Sequence, residues 1–288
     1  MIRAFRALSL FVALTLAAPV AAQQVADQVP WRLQVGRGEI PGWTAGVISG
    51  NNTSIGTTEE TIWPGAALGG SGYEDPAFPT ALVAMSVSSE GSNDASAGTG
   101  ARTVGITGLD AAGDPIAEQT ITMNGQTEVA IPTSLARVTG FRVITAGSSG
   151  ENEAGLWIGS GVFLSGGPLA ATAFYEMAPA TNFGHNGFYT IQNGKRLQPC
   201  QTLLSVDGTK VFSFRLYTRS NGVDFTTPGL WVQRRDVAIQ AGGSPAIIPQ
   251  SSAAVAAIAG MTDLRLVGFV DTATADAHGR VDILLGPD

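Results

Sequence analysis

Residues 98–161 read GTGARTVGITGLDAAGDPIAEQTITMNGQTEVAIPTSLARVTGFRVITAGSSGENEAGLWIGSG. Short apolar-polar alternations are separated by Gly, Asp and Asn at intervals of about eight to twelve residues, the spacing of short antiparallel strands. In Arg102–Leu109, Val104 and Ile106 fall on one face. Asp110–Asp114 forms a hairpin-like loop, and Ile116–Met123 returns. Asn124-Gly125 is the strongest hairpin signal in the chain. A three-residue loop there would set Ile121 opposite Val129 and Gln119 opposite Ile131, pairing apolar with apolar. A two-residue loop would set Ile121 opposite Glu128, so the first register is favoured. Arg137–Ala146 puts Phe141 and Val143 on one face, and Leu156–Leu164 closes the set around Trp157. The pattern predicts an all-β protein of sandwich or jelly-roll type.

Outward from this stretch the same texture continues. Ala81–Val87 reads as a buried strand and Ser88–Gly100 as a polar loop. Leu169–Ala178 reads as a linker or a helical turn, after a break at Gly166-Gly167-Pro168. Phe212, Phe214 and Leu216 alternate with Ser213, Arg215 and Tyr217, a half-buried strand. Leu230–Gln240, Leu264–Val270 and Arg280–Leu285 read as further strands, and Ala253–Ala259 as a short helix. Towards the N-terminus, Val25–Val35 reads as a strand or an irregular arm. Glu59–Trp63 reads as a strand, and Gly50-Asn51-Asn52 as a break. Residues 66–80 lack periodicity and read as a loop. The expected organisation is an apolar segment at 1–22, a β domain at 23–165, a linker at 166–186 and a second β-sandwich domain at 187–288.

Composition narrows the function. The chain has 288 residues, 44% of them hydrophobic and only 14% charged, with 37 glycines and a net charge of −7. That is material for packed strands and tight turns rather than disorder. No basic run exists to track phosphates, so nucleic acid is not an expected partner. The lone Cys200 can make no internal disulfide and reads as a small core residue. Residues 1–22 carry Arg3 and Arg6, an apolar run from Ala7 to Ala17, and Val20-Ala21-Ala22 before Gln23, the layout of a secretory signal peptide. Cleavage there would remove two arginines and no acid, taking −7 to −9. The other reading of this segment is an apolar arm that packs on another subunit.

Residues with chemistry are sparse. His185 and His278, the only histidines, both lie in turn-like sequence with no patterned partner, so neither is expected to act as a base. No GxSxG elbow, P-loop or dinucleotide fingerprint is present. The local acid pairs are Glu59-Glu60, Asp110/Asp114 and Glu151/Glu153. Asp110 and Asp114 could share a calcium ion with loop carbonyls, but hairpin geometry explains them as well. The five tryptophans are dispersed and read as core or interface residues. Asn51-Asn52-Thr53-Ser54 reads as a turn. No catalytic, cofactor-binding or metal residue is assigned, and no enzyme activity is expected.

The order of the motifs resembles a known group. GTGARTVGITGLDAAGDPIAEQTITMNGQTEVAIP followed by LARVTGFRVITAGSSGENEAG is similar to β-rich virion structural proteins of marine tailed bacteriophages, capsid- or tail-associated. Phe188–Lys195 is similar to their YTIPAGKT segment, with Gln192-Asn193 where Pro-Ala is usual. Gly260–Arg265 is similar to their TDIRV strand. The likeness spans most of residues 98–288. It implies a non-catalytic virion protein of the decoration, spike or fibre type, a homo-oligomer contacting other capsid or tail proteins, with a host-surface glycan as a further candidate ligand. A signal peptide is foreign to a particle assembled in the cytoplasm. The alternative is therefore a secreted bacterial β-sandwich module for adhesion or carbohydrate binding.

Overall fold

The computed structural model describes residues 31–63, 78–169, 172–206, 210–240, 246–249, 257–272 and 275–288. The export-signal reading of 1–22, the 66–77 part of the loop and most of the Ala253–Ala259 helix lie outside these. Residues 46–288 form one compact unit, and those up to Ala45 form another. There the expected strand or arm at Val25–Val35 lies partly outside the described residues, and its described part belongs to helix α1 (Trp31–Gly36). Gly38, at φ +73°, ends it with an N–H bond to the carbonyl of Val35.

Among the described residues, the larger unit is laid out as a succession of strands. In chain order the first are β1 (Thr44–Ile55), β2 (Glu60–Thr61), β3 (Ser86–Ser89), β4 (Ala101–Leu109), β5 (Pro115–Thr122) and β6 (Val129–Ala130). Then come β7 (Arg137–Ala146), β8 (Leu156–Gly159), β9 (Phe163–Leu164), β10 (Gly167–Pro168), β11 (Ala173–Met177) and β12 (Phe188–Thr190). The last are β13 (Lys195–Val206), β14 (Val211–Ser220), β15 (Val232–Gln240), β16 (Ala246–Pro249), β17 (Thr262–Val270) and β18 (Ala275–Pro287).

One sandwich packs the sheet β1-β18-β13-β16 against β12-β17-β14-β15, with β2 added on β17. Its core holds Ile48 and Ile55 of β1, Phe212, Phe214 and Leu216 of β14, and Val281 and Ile283 of β18. The second sandwich packs β11-β8-β3-β6 against β5-β4-β7, around Val87, Val104, Ile106, Phe141 and Ile158. The all-β, sandwich-like class expected from alternation is the one observed.

The boundaries differ. β1 and β2 belong to the sandwich that the C-terminal strands complete, so the 86–177 sandwich is inserted between β2 and β12. The expected linker at 166–186 carries β10 and β11, the latter fully buried and paired with β8. The cause is pairing across long sequence separations, which alternation does not encode.

Three local expectations are also corrected. Asn124-Gly125 does not make a β5–β6 hairpin, because β6 pairs with β3 through Ser86↔Ala130 and Val87↔Val129. Gly125, at φ +60°, instead turns the chain from one sheet to the facing one, its N–H bonding the Asp94 carbonyl. Asn51–Ser54 is not a turn but the end of the twelve-residue β1. Gly50 supports this continuity, since the Ile62 carbonyl and Gly187 crowd the place where a Cβ would sit. His278 is not in a turn but inside β18, whose alternate residues Ala275, Ala277, Gly279 and Val281 point into the core.

Two buried carboxylates hold the loops. Asp94 is fully enclosed. One of its oxygens accepts from the N–H groups of Ala101 and Glu153, at 2.7 and 3.0 Å. The other accepts from the Ala154 N–H and the Ser89 hydroxyl, at 3.0 and 2.7 Å. Asp263 joins the two sandwiches. It is 0% exposed and receives Arg137, 4% exposed, through paired bonds of 3.0 and 2.9 Å. Arg219 and the Thr190 hydroxyl also donate to it, each at 2.6 Å. The Arg137 guanidinium lies 4.2 Å from the centre of the Phe225 ring, and that of Arg219 lies 4.6 Å from Trp231.

Candidate functional site

The outward face of the β1-β18-β13 sheet carries a pocket of about 330 Å³. Strand alternation decides what enters it. Ala277 and Val281 face the core, so His278 and Arg280 face out. On β13, Ser205 is the register partner of His278, and Leu203 that of Arg280. On β1, Ser49 and Asn51 face outward between the buried Ile48, Gly50 and Asn52.

The fourth wall is the loop before β12, which brings His185. Asn186 fixes this loop: its carbonyl oxygen accepts from the Glu176 N–H at 2.9 Å, and its amide donates to the Glu176 carbonyl at 2.8 Å. The Gly187 N–H then bonds the Ser49 carbonyl at 2.7 Å. His185 is thereby set against β1, where Nδ1 and the Ser49 hydroxyl share a 2.6 Å hydrogen bond. Burial holds the His185 imidazole below its ordinary value, so the ring is neutral at pH 7.

The two histidines read from sequence as unrelated turn residues therefore line one pocket. Sequence patterns could not pair them, since 93 positions separate 185 from 278. A serine beside a neutral imidazole is half of a nucleophile arrangement. Here the second half is not seen: His185 has no further hydrogen-bond partner among the described residues, so no carboxylate orients it. Asn51 lines the pocket, but its Oδ1 is closed off from solvent and has no hydrogen-bond partner among the described residues. Arg280 donates from Nε to Asp282 at 2.8 Å, which leaves the two terminal nitrogens of its fork open.

The acid pairs weighed from sequence do not converge. Asp110 Oδ1 is engaged by the N–H groups of Ala112 and Asp114, at 2.9 and 3.0 Å. The tip of that hairpin docks on the other sandwich, where the Gly113 carbonyl accepts from the Asn193 N–H. The loop is turn chemistry and a docking tip. Glu153 accepts from the Asn93 side-chain amide at 2.7 Å. Among the described residues no group of three or more His, Cys, Asp or Glu is placed to hold a metal ion. Cys200 is buried in β13. Trp63 and Trp157 are buried, packed edge to face at 6.2 Å.

One pair of acids escaped the sequence reading. Glu176 of β11 is 6% exposed, with Oε2 lacking a hydrogen-bond partner among the described residues. Burial, and then the charge of Glu90, push its carboxyl well above the usual range. Glu90 is itself held by the Trp157 indole N–H at 3.0 Å. The folded state therefore keeps a proton that the unfolded chain releases. That contribution is whole below about pH 4.5 and is lost as pH rises toward the folded-state value. Glu176→Gln should gain about 1 kcal/mol or more over wild type at pH 8, and the gain should vanish near pH 4. Urea midpoints across that range measure it, and an equal gain at both ends would contradict the assignment.

The fold and its site define a class: an all-β protein of two sandwiches, one inserted in the sequence of the other, with a pocket on an outer sheet face. No family model matches the chain, and no curated protein matches it. Among solved structures it is similar to the "Structure of infectious bursal disease virus Gt strain", at 14% identity over 89% of this chain and 78% of that one, TM-score 0.16. The Gx strain structure of the same virus gives 12% identity over 84% and 74%, TM-score 0.13. Superpositions this poor carry no argument about fold or function.

Proposed function

We propose that this chain is a non-catalytic structural protein of a phage virion, a decoration, spike or fibre component acting through subunit contacts. The observation that carries the reading is the joining of two sandwiches through buried ion pairs of Asp263 with Arg137 and Arg219. A particle component must keep its shape while neighbours load it, and a buried charge link resists sliding of one layer pair on the other. The motif order over residues 98–288 supports the same reading. So do apolar side chains left at the surface: Val162 and Leu164 on the β9–β10 hairpin, and Val223 and Leu230 between β14 and β15. Such groups suit contacts with other virion proteins or a second copy of the chain.

The test is mass spectrometry of gradient-purified particles from cells carrying the gene. The chain is expected in the particle peak at a stoichiometry that repeats between preparations. Recovery only from the supernatant, with Gln23 as the first residue, would replace this reading with the secreted binding module.

A further inference from the structure

We infer that the pocket formed by Ser49, Asn51, His185, Ser205, His278 and Arg280 binds a carboxylate-bearing monosaccharide unit, a uronic or sialic acid residue. The inference stands on the pocket alone and holds whether the chain is on a particle or secreted.

Size comes first. A volume of about 330 Å³ is at the small end of ligand sites, enough for one sugar ring. The chemistry comes from what is left uncommitted. Asp282 anchors Arg280 at Nε, so the guanidinium is oriented while its two terminal nitrogens remain available. That is the fork which takes a carboxylate in a bidentate grip. Among the described residues the side chains of Ser205 and His278, both lining the pocket, make no hydrogen bond. Ser49 and His185, already bonded at 2.6 Å, offer a polar edge that a ring hydroxyl can join.

A bare anion fits less well. Asp282 adjoins Arg280, Asp276 lies two residues before His278 on the same outward face of β18, and the chain carries −7 overall. Within the pocket Ser49, Ser205 and the two imidazoles can accept as well as donate, which suits a ligand that brings one acidic group together with several hydroxyls.

The chain supplies its own reporter, because both of its histidines line this pocket. With histidine rings isotopically labelled, NMR titration with sodium glucuronate and with N-acetylneuraminate reads the site alone. The expected result is a saturable shift of both ring signals at millimolar ligand by at least one of the two. Glucose and acetate at equal concentration should shift them at least tenfold less. Arg280→Gln should weaken binding at least tenfold, and Asn51→Ala several-fold, with the circular dichroism spectrum unchanged. Any of three results would overturn the inference: histidine signals unmoved by both acid sugars at about 50 mM, an equal response to acetate or glucose, or full affinity in Arg280→Gln. None of these bears on the particle experiment above, so the two readings can fail separately.

Discussion

Replacing Asp263 with alanine should destabilise the protein by about 3–5 kcal/mol. The residue is fully enclosed, and two guanidiniums converge on it, Arg137 at 2.9 Å and Arg219 at 2.6 Å. Without it, one fully buried cation and one nearly buried cation face each other with no counter-charge. Arg137→Met should cost less, because Arg219 still neutralises the carboxylate. That ordering separates a charge link from ordinary packing, since the arginine loses more contact area. Urea unfolding of both variants supplies the comparison. An alanine variant within 1 kcal/mol of wild type would show that the link is dispensable.

The same residue sets an acid limit. Burial alone would push the Asp263 carboxyl up, but the Arg137 hydrogen bond and charge, the Thr190 hydroxyl and Arg219 outweigh it and hold the group below its ordinary value. A carboxyl lowered on folding contributes stability that is complete above its unfolded value, near pH 3.8, and is lost as pH falls through the folded value. Wild type should therefore weaken below about pH 4, and Asp263→Asn should show a flatter acid limb from a lower starting point.

Asp94→Ala is the second large effect, at about 3 kcal/mol or more. It strands the N–H groups of Ala101, Glu153 and Ala154 and the hydroxyl of Ser89, and each unsatisfied donor costs about 1–3 kcal/mol. Asp94→Asn keeps one acceptor oxygen and should recover part of the loss. Hydrogen exchange locates the effect: the amides of Ala101, Glu153 and Ala154 should exchange faster while those of β13 and β18 hold. Uniform acceleration across both sandwiches would instead mean that the loops do not open on their own.

These two aspartates also mark where the sequence ceased to be readable. Alternation placed Val104 with Ile106 and Phe212 with Phe214 and Leu216, because a period of two is written in consecutive residues. It named the buried face and stopped there. Which strand lies alongside is settled by residues far away, so β6 went to β3 and β1 joined strands more than two hundred positions downstream. Asp94 looked like one polar residue in a polar loop, since three of its four donors come from Ala101, Glu153 and Ala154. Asp263 looked like the start of a strand, since its partners lie 126 and 44 positions away. His185 and His278 meet only after the loop at 185–187 has closed on β1. Asp110, by contrast, was legible as a hairpin residue because its donors lie two and four positions on.

The insertion of the 86–177 sandwich has a mechanical meaning. The chain enters the larger sandwich on β1 and leaves it on β18, and these two strands are neighbours in one sheet. Tension applied at the two ends of 46–288 is therefore carried across the β1–β18 seam. The inserted sandwich enters and returns within the other, so it hangs outside the load path, and its loops and edges can engage a partner without bearing the strain on the strands that anchor it.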